Sequence, residues 1–373
     1  MDSTIKIDVV KHGDVIAETL PLFNSVLRST ASQEPFTLKE WSWRHLNNPF
    51  VKDQSDVTIA RKDGRLVGAN CFIVLEFMYR GKRMKAVQSC DTMVHPAFRR
   101  FGIFSQMIMT AENHFREQGY HFLFGFPNQY SLPGFLKAGW KQVRSMYRWD
   151  LLLNVEKTLQ NLMPIVPLKR LASHSFKLFF RNAFNRSDNK LARIEFETST
   201  NFPKTLSEIS ETLHPEKLEL NRDKAYLEWK IFANKSMDFK YVFSMDDKGL
   251  IWYSLVARVD HKSGSKIGYI VDLRVGSGRP EGFLGAIYSS AKVLGRDGCD
   301  IVSLFDPEGD ISRTRAIRSL GFRPFTRYYR VLRRQQHLAA RLLLVKDLNC
   351  FTIPVDSYDP QIWDPTQIYF DGL

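Results

Sequence analysis

The run His95-Pro96-Ala97-Phe98-Arg99-Arg100-Phe101-Gly102-Ile103-Phe104 decides how this chain folds. Just before it, Ala86-Val87-Gln88-Ser89-Cys90-Asp91-Thr92-Met93-Val94 reads as a strand. Just after it, Ile103, Phe104, Met107, Ile108, Ala111 and Phe115 recur at three- and four-residue spacing, which predicts a helix over Ile103 to Gln118. A strand feeding a basic, glycine-bearing loop that opens a helix suits an anionic phosphate. Free backbone N–H groups and the positive end of the helix dipole converge there, with arginines alongside. An ordinary strand–helix connection that contains a glycine has the same spacing.

The pattern Val94-x-Pro96-x-x-Arg99-x-x-Gly102-x-Phe104 resembles the acyl-CoA signature of the GNAT acyltransferase superfamily, Arg/Gln-x-x-Gly-x-Gly/Ala, with Phe104 departing from the last small residue. Downstream, Phe124-Gly125-Phe126-Pro127-Asn128 and then Phe135-Leu136-Lys137-Ala138-Gly139-Trp140 resemble the later strand–helix–strand of that fold. The resemblance spans roughly residues 5–150. It implies an α/β fold of mixed, centrally splayed sheets flanked by helices.

At 373 residues the chain has room for two domains. With 44% hydrophobic and 25% charged residues its composition is globular. Cys71, Cys90, Cys299 and Cys350 are widely separated, so neither a disulfide framework nor a zinc motif is expected, and a reducing, cytoplasmic compartment is. The opening Met1-Asp2-Ser3-Thr4-Ile5-Lys6 lacks a signal peptide's apolar core. No stretch approaches the roughly 18 apolar residues that a spanning helix needs. A net charge of +13 raises the question of nucleic acid. The basic residues are scattered, however, and no helix-turn-helix, RRM or zinc pattern accompanies them.

The chain also repeats itself. Thr37-Leu38-Lys39-Glu40-Trp41-Ser42-Trp43-Arg44-His45-Leu46-Asn47-Asn48-Pro49 returns as Asp223-Lys224-Ala225-Tyr226-Leu227-Glu228-Trp229-Lys230-Ile231-Phe232-Ala233-Asn234-Lys235, with Trp43 on Trp229, Arg44 on Lys230 and Asn48 on Asn234. Asp63-Gly64 then matches Lys248-Gly249, Asp91 matches Asp272, Gly139-Trp140 matches Gly321-Phe322, and Tyr147-Arg148 matches Tyr329-Arg330. An ordered series at nearly constant offset is what duplication followed by loop indels leaves. The expected layout is a first GNAT-like domain over 1–152, a linker over 153–191, a degenerate GNAT-like domain over 192–336 and a tail over 337–373.

The two copies differ where it matters. Against Pro96–Phe104 the second has Gly276-Ser277-Gly278-Arg279-Pro280-Glu281-Gly282-Phe283, with a glutamate that repels phosphate and a proline that removes a donor. Acyl-CoA is therefore expected in the first copy, with the second as scaffold and substrate wall.

The resemblance implies that Val94 pairs with the pantetheine arm and that Arg99, Arg100, Phe101, Gly102, Ile103 and Phe104 surround the pyrophosphate, mainly through N–H groups. It implies that Asn128 bonds the pantetheine, although capping of the next helix would equally explain that residue. In the family an amine attacks the thioester directly, which calls for a base, an oxyanion donor and an acid. For the base, Asp91 and Glu76 are the candidates, with a structural role for Asp91 left open by its repeat partner Asp272. For the acid, the place of the family tyrosine holds Phe135, so Tyr130, Ser131 or water stands in. His95 and His114 lack the spacing of a ligand set.

Between the copies, residues 167–186 carry five Lys/Arg and no acid, with Leu168, Leu171, Ala172, Phe179 and Ala183 near one helical face. This suits either a helix on an anionic membrane surface or a clamp between the halves. The expected activity is transfer of an acetyl or short acyl group from acetyl-CoA or another acyl-CoA to a primary amine, such as an amino sugar of surface-polysaccharide assembly. The alternatives are a non-catalytic sensor and an aminoacyl-tRNA-dependent tandem transferase.

Overall fold

The computed structural model describes residues 4–30, 35–51, 55–162, 184, 191–203, 214–232, 237–261, 264–324, 340–351 and 355–370. The basic segment 167–186 lies outside these residues except for Phe184.

In the first copy β1 (Lys6–Lys11) runs into α1 (His12–Thr30), and α2 (Leu38–His45) follows. A capping box starts α2: Thr37 Oγ1 accepts from the Glu40 N–H at 3.2 Å, and Glu40 Oε2 accepts from the Thr37 N–H at 2.8 Å. Then β2 (Asp56–Lys62), β3 (Arg65–Tyr79) and β4 (Lys82–Val94) form an antiparallel meander. Its turns are Asp63-Gly64 and Arg80-Gly81, each with positive φ at both residues, the geometry that matches strand twist. A crossover through α3 (Ile103–Glu117) places β5 (Phe122–Gly125) parallel to β4, and α4 (Leu132–Lys137) leads into β6 (Lys141–Leu152).

The second copy repeats this order. After α5 (Val155–Leu162), β7 (Glu197–Ser199), β8 (Glu219–Leu220) and α6 (Lys224–Leu227), the hairpin of β9 (Asp238–Asp246) and β10 (Gly249–Asp260) continues into β11 (Lys266–Val275). The crossover helix α7 (Gly282–Arg296) precedes β12 (Ile301–Pro307), which is parallel to β11 as β5 is to β4. Next come α8 (Ile311–Ser319), β13 (Arg323–Pro324) and β14 (Ala340–Asp347).

β3 is buried almost end to end, from Leu66 to Leu75. Several of its residues meet α3: Phe72 packs with Ile108, Ala111 and Phe115, Val67 clusters with Ile103 and Met107, and a Cβ on Gly68 would lie 3.2 Å from Ile103. α1 and α2 also pack on β3, which explains a continuous apolar run where a half-exposed strand would alternate.

The two compact units do not follow chain order. The first is Met1–Arg144 with Pro215–Asn234 and Leu342–Asp364; the second is Ser145–His214 with Lys235–Arg341 and Pro365–Leu373. The expected boundary at 152 therefore falls earlier, inside β6, because Met146–Leu152 pair with β12 in the second unit. Nor is the tail one body. Leu344–Asp347 extend the first unit's sheet against β5, and Trp363 is buried there against Phe77 and Phe122. In the second unit Thr366 donates to Asp272 at 2.5 Å and Phe370 packs on Phe305.

Candidate functional site

The site is built on an irregularity in β4. Its ladder to β3 slips between Ala69 and Cys71, so that Asp91 and Thr92 stand against Asn70 alone. Asp91 takes the left-handed conformation, φ +46°, that such a bulge demands and that aspartate tolerates better than most residues. Toward β5 the parallel ladder covers only Ala86–Gln88 against Phe122–Phe124. Past it, β4 continues through the bulge to Val94.

From Val94 the chain enters the basic loop. The His95 N–H donates to the Val67 carbonyl at 2.8 Å, and its Nδ1 accepts from the Ala97 N–H, starting a short 3-10 turn over Pro96–Phe98. Arg99 Nε donates back to the Val94 carbonyl at 3.3 Å. Arg100 and Gly102 both have positive φ, +69° and +75°. Gly102 is the N-cap of α3, and no side-chain hydrogen bond caps it. The N–H groups of the first helical turn therefore face outward behind an exposed stretch of Arg99, Arg100, Phe101 and Gly102. Such a turn attracts an anion through aligned peptide dipoles and two guanidinium groups.

The other expected residues divide. Ile103 is buried against β3 and reaches the loop only through its backbone. Phe104, where the signature has a small residue, turns its ring into the core against Phe135, 5.1 Å between centroids. Asn128 makes the capping contacts that were one of its two expected roles: its Oδ1 accepts from the Tyr130 and Ser131 N–H groups at 2.9 and 3.1 Å. Tyr130 stands 76% exposed on that turn, and Phe135, in the place of the family tyrosine, is core. Glu76 is tied to Asn221 and Arg83, and His114 to Asp56.

Asp91 lies on the expected strand, but its carboxylate is engaged. Arg44 Nη1 donates to both oxygens at 3.1 and 3.0 Å, and His45 Nε2 lies 3.0 Å from Oδ2. Burial alone would raise this carboxyl, yet the Arg44 guanidinium and the His45 ring beside it outweigh that and hold it well below the usual carboxylate range. So low a basicity makes it a poor proton acceptor near neutral pH; it fastens the bulge to the end of α2. Arg44 and His45 were missed as site residues because their partner is 46 to 47 positions away. The pairing of Arg44 with Lys230 in the repeat was the available signal.

The second copy's loop is built differently. A Cβ on Gly276 would sit 2.0 Å from the Leu250 carbonyl oxygen, so its glycine serves close packing on β10. Arg279 is turned to Asp246, at 2.6 and 2.9 Å. Residue 281, the N-cap of α7, is a glutamate.

Residues 13–143 match the family described as the acetyltransferase (GNAT) domain. A tandem GNAT protein of the clavulanic acid biosynthesis pathway superposes over 95% of this chain and 100% of its own, with TM-score 0.54 and 15% identity. The N-myristoyltransferase of Saccharomyces cerevisiae, solved with bound myristoyl-CoA, covers 93% of this chain over 79% of its own, with TM-score 0.57 and 12% identity. A fungal glucosamine N-acetyltransferase region within a multidomain β-N-acetylglucosaminidase covers 93% over 38% of that chain, with TM-score 0.56 and 13% identity. A sequence comparison with curated proteins gives no match. Residues 13–143 form a GNAT domain, and the described residues share the fold of a tandem GNAT protein.

Proposed function

We propose that this protein is an N-acyltransferase that moves an acetyl or other short acyl group from acyl-CoA to a primary amine, using one cofactor site, in the first copy. The observation that carries this is the uncapped start of α3 behind Arg99 and Arg100, adjoining the bulged end of β4. Val94 offers backbone pairing to the pantetheine, and the N–H groups from Phe101 to Phe104 take the pyrophosphate. The packed, glutamate-bearing counterpart before α7 favours a single site.

In the reaction the unprotonated amine attacks the thioester carbon and the C–S bond breaks. The nitrogen releases its proton to water, since Asp91 is committed to Arg44 and His45. The departing thiolate takes a proton from the Tyr130 hydroxyl or from water. An amino sugar is the first acceptor class to test. Among the described residues no helix is long and apolar enough to cross a membrane.

Calorimetry with acetyl-CoA, followed by free-thiol release across an amine library, tests the reading. Wild type should bind one acetyl-CoA, and Gly102→Glu should abolish binding while leaving the circular dichroism unchanged. Binding without thiol release from any amine would instead indicate a sensor. Silence toward CoA would point to the tRNA-dependent alternative.

A further inference from the structure

We infer that His12, His45, Cys71 and Cys90 form a buried site for a thiophilic divalent metal ion, zinc in the first instance. This assignment stands apart from the acyl-transfer reading, and every residue in it belongs to the first compact unit.

Two overlapping sets of donors meet on the α1–α2 side of the sheet. One nitrogen of His12, one of His45 and the Cys71 Sγ all lie within 4.8 Å of one another, and so do the donor atoms of His45, Cys90 and Asp91. Cys71 and Cys90 are direct cross-strand partners beside the bulge. His12 is the first residue of α1 and His45 the last of α2. Exposure is 0% for His12, His45 and Cys71 and 4% for Cys90. Of the nine histidines and four cysteines of the chain, two of each belong to these two sets, which share His45. Two imidazoles and two thiolates are a tetrahedral zinc donor set, whose neighbouring ligand atoms stand about 3.5 Å apart, so side-chain rotations must bring the two sets around a common centre.

The surroundings fit that ion. His12 Nδ1 is buried and has no hydrogen-bond partner among the described residues. The other nitrogen, Nε2, is 3.1 Å from Thr19 Oγ1, whose own proton goes to the Ile16 carbonyl at 3.4 Å, so Thr19 can accept from a metal-bound His12. On His45, Nε2 faces the Asp91 carboxylate, the outer-shell partner that metal-bound imidazoles regularly have. Charge balances as well. Two thiolates cancel the ion and Asp91 offsets Arg44, so no net charge is buried. The Trp41 indole N–H, which points at His12 Nε2 from 3.2 Å, would have to release that nitrogen. Its fluorescence is then a built-in reporter.

The test uses full-length, tag-free protein. After desalting, metal content is measured by mass spectrometry, and the apoprotein is titrated with cobalt(II). Supporting results are about one zinc per chain, thiolate-to-cobalt charge-transfer bands with strong tetrahedral d–d bands, and a change in tryptophan emission on zinc addition. Zinc should be lost from Cys71→Ser/Cys90→Ser with circular dichroism retained. Should that variant fail to fold, the cobalt spectrum and emission of wild type decide alone. Asp91→Asn should weaken zinc binding about 10- to 100-fold. Sub-stoichiometric zinc without cobalt–thiolate bands, unchanged zinc in the folded double variant, or a Cys71–Cys90 disulfide in freshly purified protein would each overturn the assignment.

Discussion

Trp43 and Trp229 make the same hydrogen bond to each other in both directions. The Trp43 indole N–H donates to the Trp229 carbonyl at 2.7 Å, and the Trp229 indole N–H donates to the Trp43 carbonyl at 2.9 Å. Their rings lie tilted, 6.0 Å between centroids. The two are 186 residues apart, which is the offset at which their sequences repeat. Two copies of one element placed face to face give such reciprocity. Trp229 lies in a π-type turn over Glu228–Phe232.

Trp43→Phe and Trp229→Phe should each cost about 1–2 kcal/mol, because each leaves a carbonyl acceptor unpaired. The double variant should cost less than the sum, by about 0.5 kcal/mol or more, since the bonds share one interface. Urea unfolding of the four proteins measures this; strict additivity would mean that the pair is not coupled.

Neither segment of the first unit is dispensable. A fragment ending at residue 152 lacks Leu344–Asp347 beside β5 and Trp363 over Phe77 and Phe122. It should show no cooperative melting and should bind a hydrophobic dye. Co-expression with residues 191–373 should restore a folded complex. A sharp melt for the fragment alone would contradict this.

Gly134→Ala separates packing from helix propensity. Alanine in α4 is worth up to about 1 kcal/mol over glycine. Here its Cβ would lie 2.5 Å from the Phe104 ring, which is body rather than flexible tip. Overpacking should win, giving a net loss of about 1–2 kcal/mol in chemical denaturation. A stabilised variant would show that Phe104 can move aside.

Acid should reveal Asp56. Burial raises its carboxyl, but hydrogen bonds from His114 at 2.9 Å and Lys11 at 2.8 Å outweigh that and lower it below 3.8. A lowered folded-state pKa means that the unfolded chain binds the proton more readily. The stabilisation is therefore complete above the ordinary value and fades as pH falls through the lowered one. Asp56→Asn should be about 1 kcal/mol less stable than wild type at pH 7, with the gap closing below about pH 4. A gap that stays constant down to pH 2 would refute the ionic origin.

Arg279→Ala should leave acetyl-CoA affinity unchanged, whereas Arg99→Ala should weaken it several-fold, in a titration whose stoichiometry is one. Two bound cofactors per chain, or a loss with Arg279→Ala, would move the site to the second copy or add one there.

What the sequence determined by itself was local. The period of Ile103 to Phe115, the hairpin pair Asp63-Gly64, the glycine before α3 and the ordered repeat can all be read along the chain from residue types and their backbone preferences. The α/β class was legible for that reason. The tertiary structure decided everything that joins distant positions: the clamp of Arg44 and His45 on Asp91, the ring of Phe104 packed into the core instead of lining the loop, and a compact unit assembled from three separate stretches. Side chains dozens of positions apart interact only after the sheet has set its register. No spacing rule along the chain records which of them will meet.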